Sequence, residues 1–137
     1  MSTPARPLIY AHRGASADHP ENTLPAFLAA HEQGSDWVEL DVHLAADGEL
    51  VVVHDQSYAD GRQVDEHPGA TRPATVPLLD AALDACAGMG VNIEIKVTRP
   101  GTDLADRVIE LVGSRRAAGT DQPICISSFD EVTLDRV

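Results

Sequence analysis

The sequence predicts a single α/β domain built on a mainly parallel sheet, spanning residues 1–137. Three observations carry that expectation. Short β-like apolar runs alternate with amphipathic stretches, turn and cap residues fall between them, and no apolar run exceeds strand length. The last point also excludes a membrane-spanning helix, which needs roughly 20 apolar residues. Strands alternating with helices imply parallel pairing with both faces of the sheet covered.

The elements follow in order. Leu8-Ile9-Tyr10-Ala11 reads as a first strand, ending in His12-Arg13-Gly14. Asn22 or Thr23 then caps a helix with Pro25 in its first turn and Gly34 at its end. Leu24, Phe27, Leu28 and His31 recur at helical spacing and predict its buried face. Trp37 to Val42 is a second strand, Asp47-Gly48 a turn, and Leu50 to Val53 a third strand joined to the second by a short loop. Residues 55–75 are polar, rich in Gly, Pro and Asp, and read as a loop. Pro77 opens a second helix with Leu79, Ala82, Leu83 and Cys86 on one face, stopped by Gly88 and Gly90. Val91 to Val97 is a fourth strand. Asp103 to Ala118 is a third helix, with Leu104, Val108, Leu111 and Val112 inward and Gly119 as its stop. Ile124 to Phe129 is a fifth strand, and Asp130 caps a helix that barely begins.

Charge narrows the partners. Ten Lys and Arg stand against 22 Asp and Glu, a formal net charge of −12. Without a basic stripe to release counterions, nucleic acid is not an expected partner, nor is a polybasic membrane anchor. Cys86 and Cys125 lie in neither a CxxC nor a zinc-type pattern and read as two buried thiols in a reducing compartment. With no apolar signal segment in Met1 to Pro7, the expected location is cytoplasmic.

Polar residues gather at the carboxyl ends of the strands, where α/β folds bind ligands. The first strand ends in His12-Arg13 and the third in His54-Asp55. The second carries Glu39 and Asp41, the fourth Glu94 and Lys96; each pair is spaced i, i+2 and so shares one face. Any one of these pairs alone is ordinarily a solvated face or a local ion pair. Their joint occurrence at successive strand ends points to a site. Three converging carboxylates stay ionised only beside compensating positive charge, and oxygen donors suit a hard divalent cation, Mg²⁺ or Ca²⁺. Arg13 and Lys96 offer charge to an anionic substrate, and two histidines offer an acid/base pair. Together they describe phosphoryl-ester chemistry. His43 shares the parity of Glu39 and Asp41 and is the minor candidate for a zinc-type site. His19, His31 and His67 read as surface groups, and Trp37 as packing.

These residues resemble the glycerophosphodiester phosphodiesterases. The motifs that carry the resemblance are His12-Arg13-Gly14, Pro20-Glu21-Asn22-Thr23, Glu39-Leu40-Asp41-Val42, Asp47-Gly48, Val52-Val53-His54-Asp55, Ile93-Glu94-Ile95-Lys96 and Ser127-Ser128-Phe129, all in the family's order. The resemblance implies a TIM barrel that uses a divalent cation to cleave diesters such as glycerophosphocholine into glycerol 3-phosphate and an alcohol. It implies Glu39, Asp41 and Glu94 as metal ligands and His12 and His54 as general base and acid, in either order. It further implies Arg13 and Lys96 on the phosphate, with Glu21 and Asn22 in support. Attack by the glycerol 2-hydroxyl, a cyclic phosphate and then hydrolysis would follow.

Two departures qualify that expectation. Residues 56–75 depart from the family's usual run, and the later strands of a (β/α)₈ barrel, which takes about 250 residues, do not occur. The expected fold is therefore a partial TIM barrel of about five strands, not closed within this chain. Its open edges predict a homo-oligomer. A non-catalytic half-barrel that binds an anion or metal is the alternative function.

Overall fold

The computed structural model describes residues 5–97, 103–135 and 137, except the side chain of Val132. Part of the stretch Met1 to Pro7 therefore lies outside the described residues. Strands β1 (Tyr10–His12), β2 (Trp37–Leu44), β3 (Leu50–Val52), β4 (Gly90–Ile95) and β5 (Ile124–Ser127) form one five-stranded sheet. Helices α1 (Leu24–Glu32), α2 (Leu79–Ala85), α3 (Leu104–Ala117) and the short α4 (Glu131–Leu134) alternate with them. The segment read as a loop contains two 3₁₀ turns, Val64–Glu66 and Gly69–Thr71. It also buries Tyr58 and Val64 in a small satellite cluster with Ala45 and Val51.

The parallel path runs β1-β2-β4-β5, with His12 opposite Glu39, Asp41 opposite Glu94, and Glu94 opposite Ser127. β3 lies off that path and pairs antiparallel with β2. Backbone hydrogen bonds show how it fits. On β2, the Glu39 carbonyl accepts from Arg13 and the Asp41 carbonyl from Val53, whereas the Val42 carbonyl accepts from Lys96. Alternate carbonyls point to opposite edges of a strand, so β3 takes the edge of β2 that β1 leaves after His12. The third strand is thus a hairpin return and not a step in the parallel wall.

Helices α1, α2 and α3 all pack on the same face, correcting the expectation of a sheet covered on both. Val38, Leu40 and Val42 of β2 and Val91, Ile93 and Ile95 of β4 meet Phe27, Leu79, Leu83, Leu104 and Val108 there. Each large side chain fully buried in this layer contributes roughly 1.5–3 kcal/mol. The opposite face is left to the alternate residues, among them Glu39, Asp41, Glu94 and Lys96. This is the wall of an incomplete (β/α) barrel, with apolar residues outward toward helices and polar residues inward.

Local signals explain the boundaries. Thr23 caps α1 through an acceptor bond from Ala26 N at 3.4 Å, and Asp130 caps α4 through Thr133 N at 2.8 Å. The buried face of α1 is Ala26, Phe27, Ala29 and Ala30, rotated from the expected one; Leu28 is 53% exposed and His31 is exposed. Alanines permit close approach of α1 to the sheet and α2, so small volume outranks hydrophobicity in choosing the face. Tyr10 stacks on Trp37 at 5.6 Å between ring centroids. Cys86 is buried, but Cys125 is exposed, contrary to the expectation of two buried thiols.

Candidate active site

The site begins where β1 ends. Arg13 and Gly14 are both left-handed, at φ 60° and 82°, and turn the chain sharply off the strand. The Arg13 N–H stays bonded to the Glu39 carbonyl at 2.8 Å, while its own carbonyl accepts from Asn22 N at 2.9 Å. Asn22 is left-handed as well, at φ 55°. Asparagine tolerates that region; arginine there stores strain, which is common where a side chain must be aimed. The result folds Glu21 and Asn22 back over the inward face of β2.

Asp41 sits at the centre and is fully buried. Its Oδ2 accepts from Asn22 Nδ2 at 3.0 Å and lies 3.4 Å from Arg13 Nε; its Oδ1 lies 3.4 Å from Lys96 Nζ. Lys96 also donates to Glu94 Oε1 at 2.7 Å, and Arg13 to Glu21 Oε2 at 2.9 Å. Both cations are held charged. Burial works against Lys96, but its bond to Glu94 and the charge of Asp41 outweigh it and raise its pKa; Arg13 is raised likewise, against burial, by Glu21 and Asp41.

Glu39 is the carboxylate without a cation of its own. Both of its oxygens are buried and make no hydrogen bond, and the nearest imidazole nitrogen, His12 Nε2, stands 3.6 Å away. Burial first, then the negative charges of Asp41 and Glu94, push its pKa up to about 8. Glu39, Asp41 and Glu94 each offer an oxygen, and these lie within 4.8 Å of one another. Unpartnered buried carboxylate oxygens converging on one point, with Asp41 Oδ1 also lacking a hydrogen bond, fit a hard divalent cation.

His12, Arg13, Asn22 and Lys96 lie against the three carboxylates and Glu21 against Arg13, whereas His54 is brought alongside through its backbone, by an unexpected route. It follows the antiparallel β3, which returns along β2 to the level of Asp41. Its Nδ1 pairs with Asp55 Oδ1 at 2.7 Å. His43 does not join the carboxylates. It is buried, its pKa lowered chiefly by that burial, and its Nε2 donates to the His54 carbonyl at 3.0 Å. The contacts made by His43 and Asp55 were not assigned from sequence; strand parity with Asp41 was the available signal for His43.

A (β/α)-barrel wall with acidic oxygen donors, paired cations and two imidazoles at its strand ends defines the class. Within that class, the chain belongs to the glycerophosphoryl diester phosphodiesterase family, whose model matches residues 12–137. The uncharacterized protein YqiK of Bacillus subtilis is 56% identical over 92% of this chain and 59% of its own length. A phosphodiesterase of Oleispira antarctica, solved in complex with the product sn-glycerol-3-phosphate, superposes with a TM-score of 0.84 at 31% identity, covering 95% of this chain and 60% of that one. A glycerophosphodiester phosphodiesterase of Thermotoga maritima gives 0.81 at 31% identity, covering 96% and 58%. The chain thus spans about 60% of the length of these relatives. Among the described residues, no helix is long and apolar enough to cross a membrane.

Proposed function

We propose that this chain carries the metal and acid/base machinery of a glycerophosphodiester phosphodiesterase, which hydrolyses diesters such as glycerophosphocholine to glycerol 3-phosphate and an alcohol. The observation that carries the reading is the convergence of Glu39, Asp41 and Glu94 within 4.8 Å, beside Arg13 and Lys96. Its substrate class is supported by the glycerol 3-phosphate product bound to the Oleispira relative. Glu39, Asp41 and Glu94 would hold Mg²⁺ or Ca²⁺, which when bound supplies positive charge to the phosphate oxygens and to an attacking oxygen.

The chain's own residues do the rest. Arg13 and Lys96 stabilise the charge that builds on phosphorus-bound oxygens in the transition state. One of His12 and His54 takes the proton from the attacking glycerol 2-hydroxyl, and the other gives a proton to the leaving alcohol. The cyclic phosphate so formed is opened by water with the roles reversed. Asn22 orients Asp41, and Glu21 holds Arg13, so that neither ligand nor cation must reorganise.

The test is release of glycerol 3-phosphate from glycerophosphocholine by the purified 137-residue chain with Mg²⁺, with Ca²⁺ and with EDTA. Metal-dependent turnover is expected, falling by about 10²–10⁴ in His12→Ala and in His54→Ala. Turnover that survives EDTA or both substitutions would overturn the mechanism. A folded chain that binds Mg²⁺ without any turnover would instead be a metal-binding module.

A further inference from the structure

We infer that His43 is a positioning residue that fixes His54 in register with the metal-binding carboxylates. The inference rests on the proposed role of His54. Its ground is geometric. His43 is the third of three alternate residues on β2, after Glu39 and Asp41, and so faces the same side of the sheet. It is 3% exposed, and its Nε2 lies 3.0 Å from the His54 carbonyl. A carbonyl only accepts, so Nε2 carries the proton and the ring is in a defined tautomer.

What the bond does follows from where the ladder stops. β3 pairs with β2 from Leu50 to Val52, and the last backbone bond back to β2 is Val53 N to the Asp41 carbonyl. His54 is the next residue and has left the sheet. His43 extends the pairing by one residue through a side chain, tying the His54 backbone to the strand that carries Glu39 and Asp41. His54 Nδ1 is already engaged by Asp55 at 2.7 Å, which leaves Nε2 as the atom that can exchange a proton with substrate. With the backbone held by His43 and the ring by Asp55, Nε2 keeps its place relative to the carboxylates. The ionisable groups facing His43 are Asp41, Lys96 and His54.

Two variants separate the donor from the packing. His43→Phe keeps an aromatic ring and removes the N–H; His43→Gln keeps an N–H donor at similar reach. We expect His43→Phe to lower kcat about 10–100-fold with KM nearly unchanged, and to move the limb of the pH profile that reports His54, with His43→Gln recovering most of both. A second readout needs no turnover. Imidazole ¹H–¹⁵N spectra of the metal-free chain should show His43 as the Nε2–H tautomer, and His43→Phe should shift the His54 ring and the Asp55 amide. An unaltered His54 ring and Asp55 amide in folded His43→Phe would overturn the inference, as would equal impairment of the two variants when both fold and bind Mg²⁺ like the wild type. Absence of turnover in the wild type would remove the hydrolytic reading alone, since the spectra still decide whether His43 positions His54.

Discussion

Glu39 stands apart among the site residues because its environment was left unbalanced. Lys96 pairs with Glu94 and Asp41 and Arg13 with Glu21 and Asp41, whereas Glu39 has only His12 Nε2 at 3.6 Å; burial first, then the charges of Asp41 and Glu94, push its pKa up to about 8. The consequence for stability has a definite sign. An unfolded Glu releases its proton near pH 4.5, so between about 4.5 and 8 the folded chain binds more protons than the unfolded one, and stability falls as pH rises. In EDTA, thermal unfolding should therefore show Tm falling across that window, through a contribution on the order of a few kcal/mol at most. Saturating Mg²⁺ replaces the proton, so the gain in Tm on adding Mg²⁺ should be larger at pH 8 than at pH 5.5. Glu39→Gln should flatten the EDTA profile and abolish most of the Mg²⁺ gain. A Tm in EDTA that is flat from pH 5 to 8 for the wild type would refute the account. None of this imbalance was legible in the sequence, where Glu39, Asp41 and Glu94 look equivalent; it depends on how deeply each carboxylate is buried and which of them the two cations pair with.

At the scale of elements, the turn after β1 connects the fold to the site. Gly14 sits at φ 82°, and a Cβ there would come within 2.8 Å of the Ala26 backbone in α1. Gly14→Ala therefore meets both a disfavoured conformation and a helix that cannot retreat, since the Ala15 N–H is bonded to the Ala26 carbonyl at 2.9 Å. A loss of about 2 kcal/mol in urea unfolding is expected, with weaker Mg²⁺ binding because Asn22, whose N–H bonds the Arg13 carbonyl and whose side chain orients Asp41, moves with the turn. Thr23→Ala removes only the cap of the same helix, should cost about 1 kcal/mol or less, and should leave Mg²⁺ affinity intact. Equal effects of the two variants on Mg²⁺ binding would deny that the turn positions Asp41 through Asn22. Periodicity and cap signals revealed these elements because alternation along β2 and β4 sorts polar from apolar residues one by one. Two features escaped. The short connection at Asp47-Gly48 permits only an antiparallel return of β3, but which edge of β2 it takes shows only in the hydrogen bonds. On α1, Leu24 and Phe27 face the core as the hydrophobic period predicts but Leu28 and His31 do not, because alanines at 26, 29 and 30 gain their burial from the space between packed elements, which a hydrophobic period does not measure.

At the scale of the whole molecule, the described residues form a sheet that ends in β1 on one side and β5 on the other. β1 and β5 end the path β1-β2-β4-β5, and among the described residues neither outer edge has a strand partner. Apolar groups collect beside both edges. Leu8, Ile9 and Tyr10 are more than half exposed at one, while Ile109, Leu134 and Val137 border a groove of about 600 Å³ at the other. Exposed backbone donors and acceptors together with uncovered apolar surface favour self-association. The net charge of −12 opposes it. The two forces respond oppositely to salt, because screening weakens the repulsion between copies while apolar contact persists. Sedimentation of the 137-residue chain should therefore show association that increases with protein concentration and strengthens between low and high ionic strength. Ile126→Lys on β5, which lines the groove, should shift the equilibrium toward monomer by adding a buried charge to the contact. A monomer that stays compact and cooperative in unfolding at every salt and concentration would mean that the outward layer of Phe27, Leu40, Leu79 and Ile93 suffices to hold the sheet alone. In that case the site would be preorganised by this wall without help from a further strand.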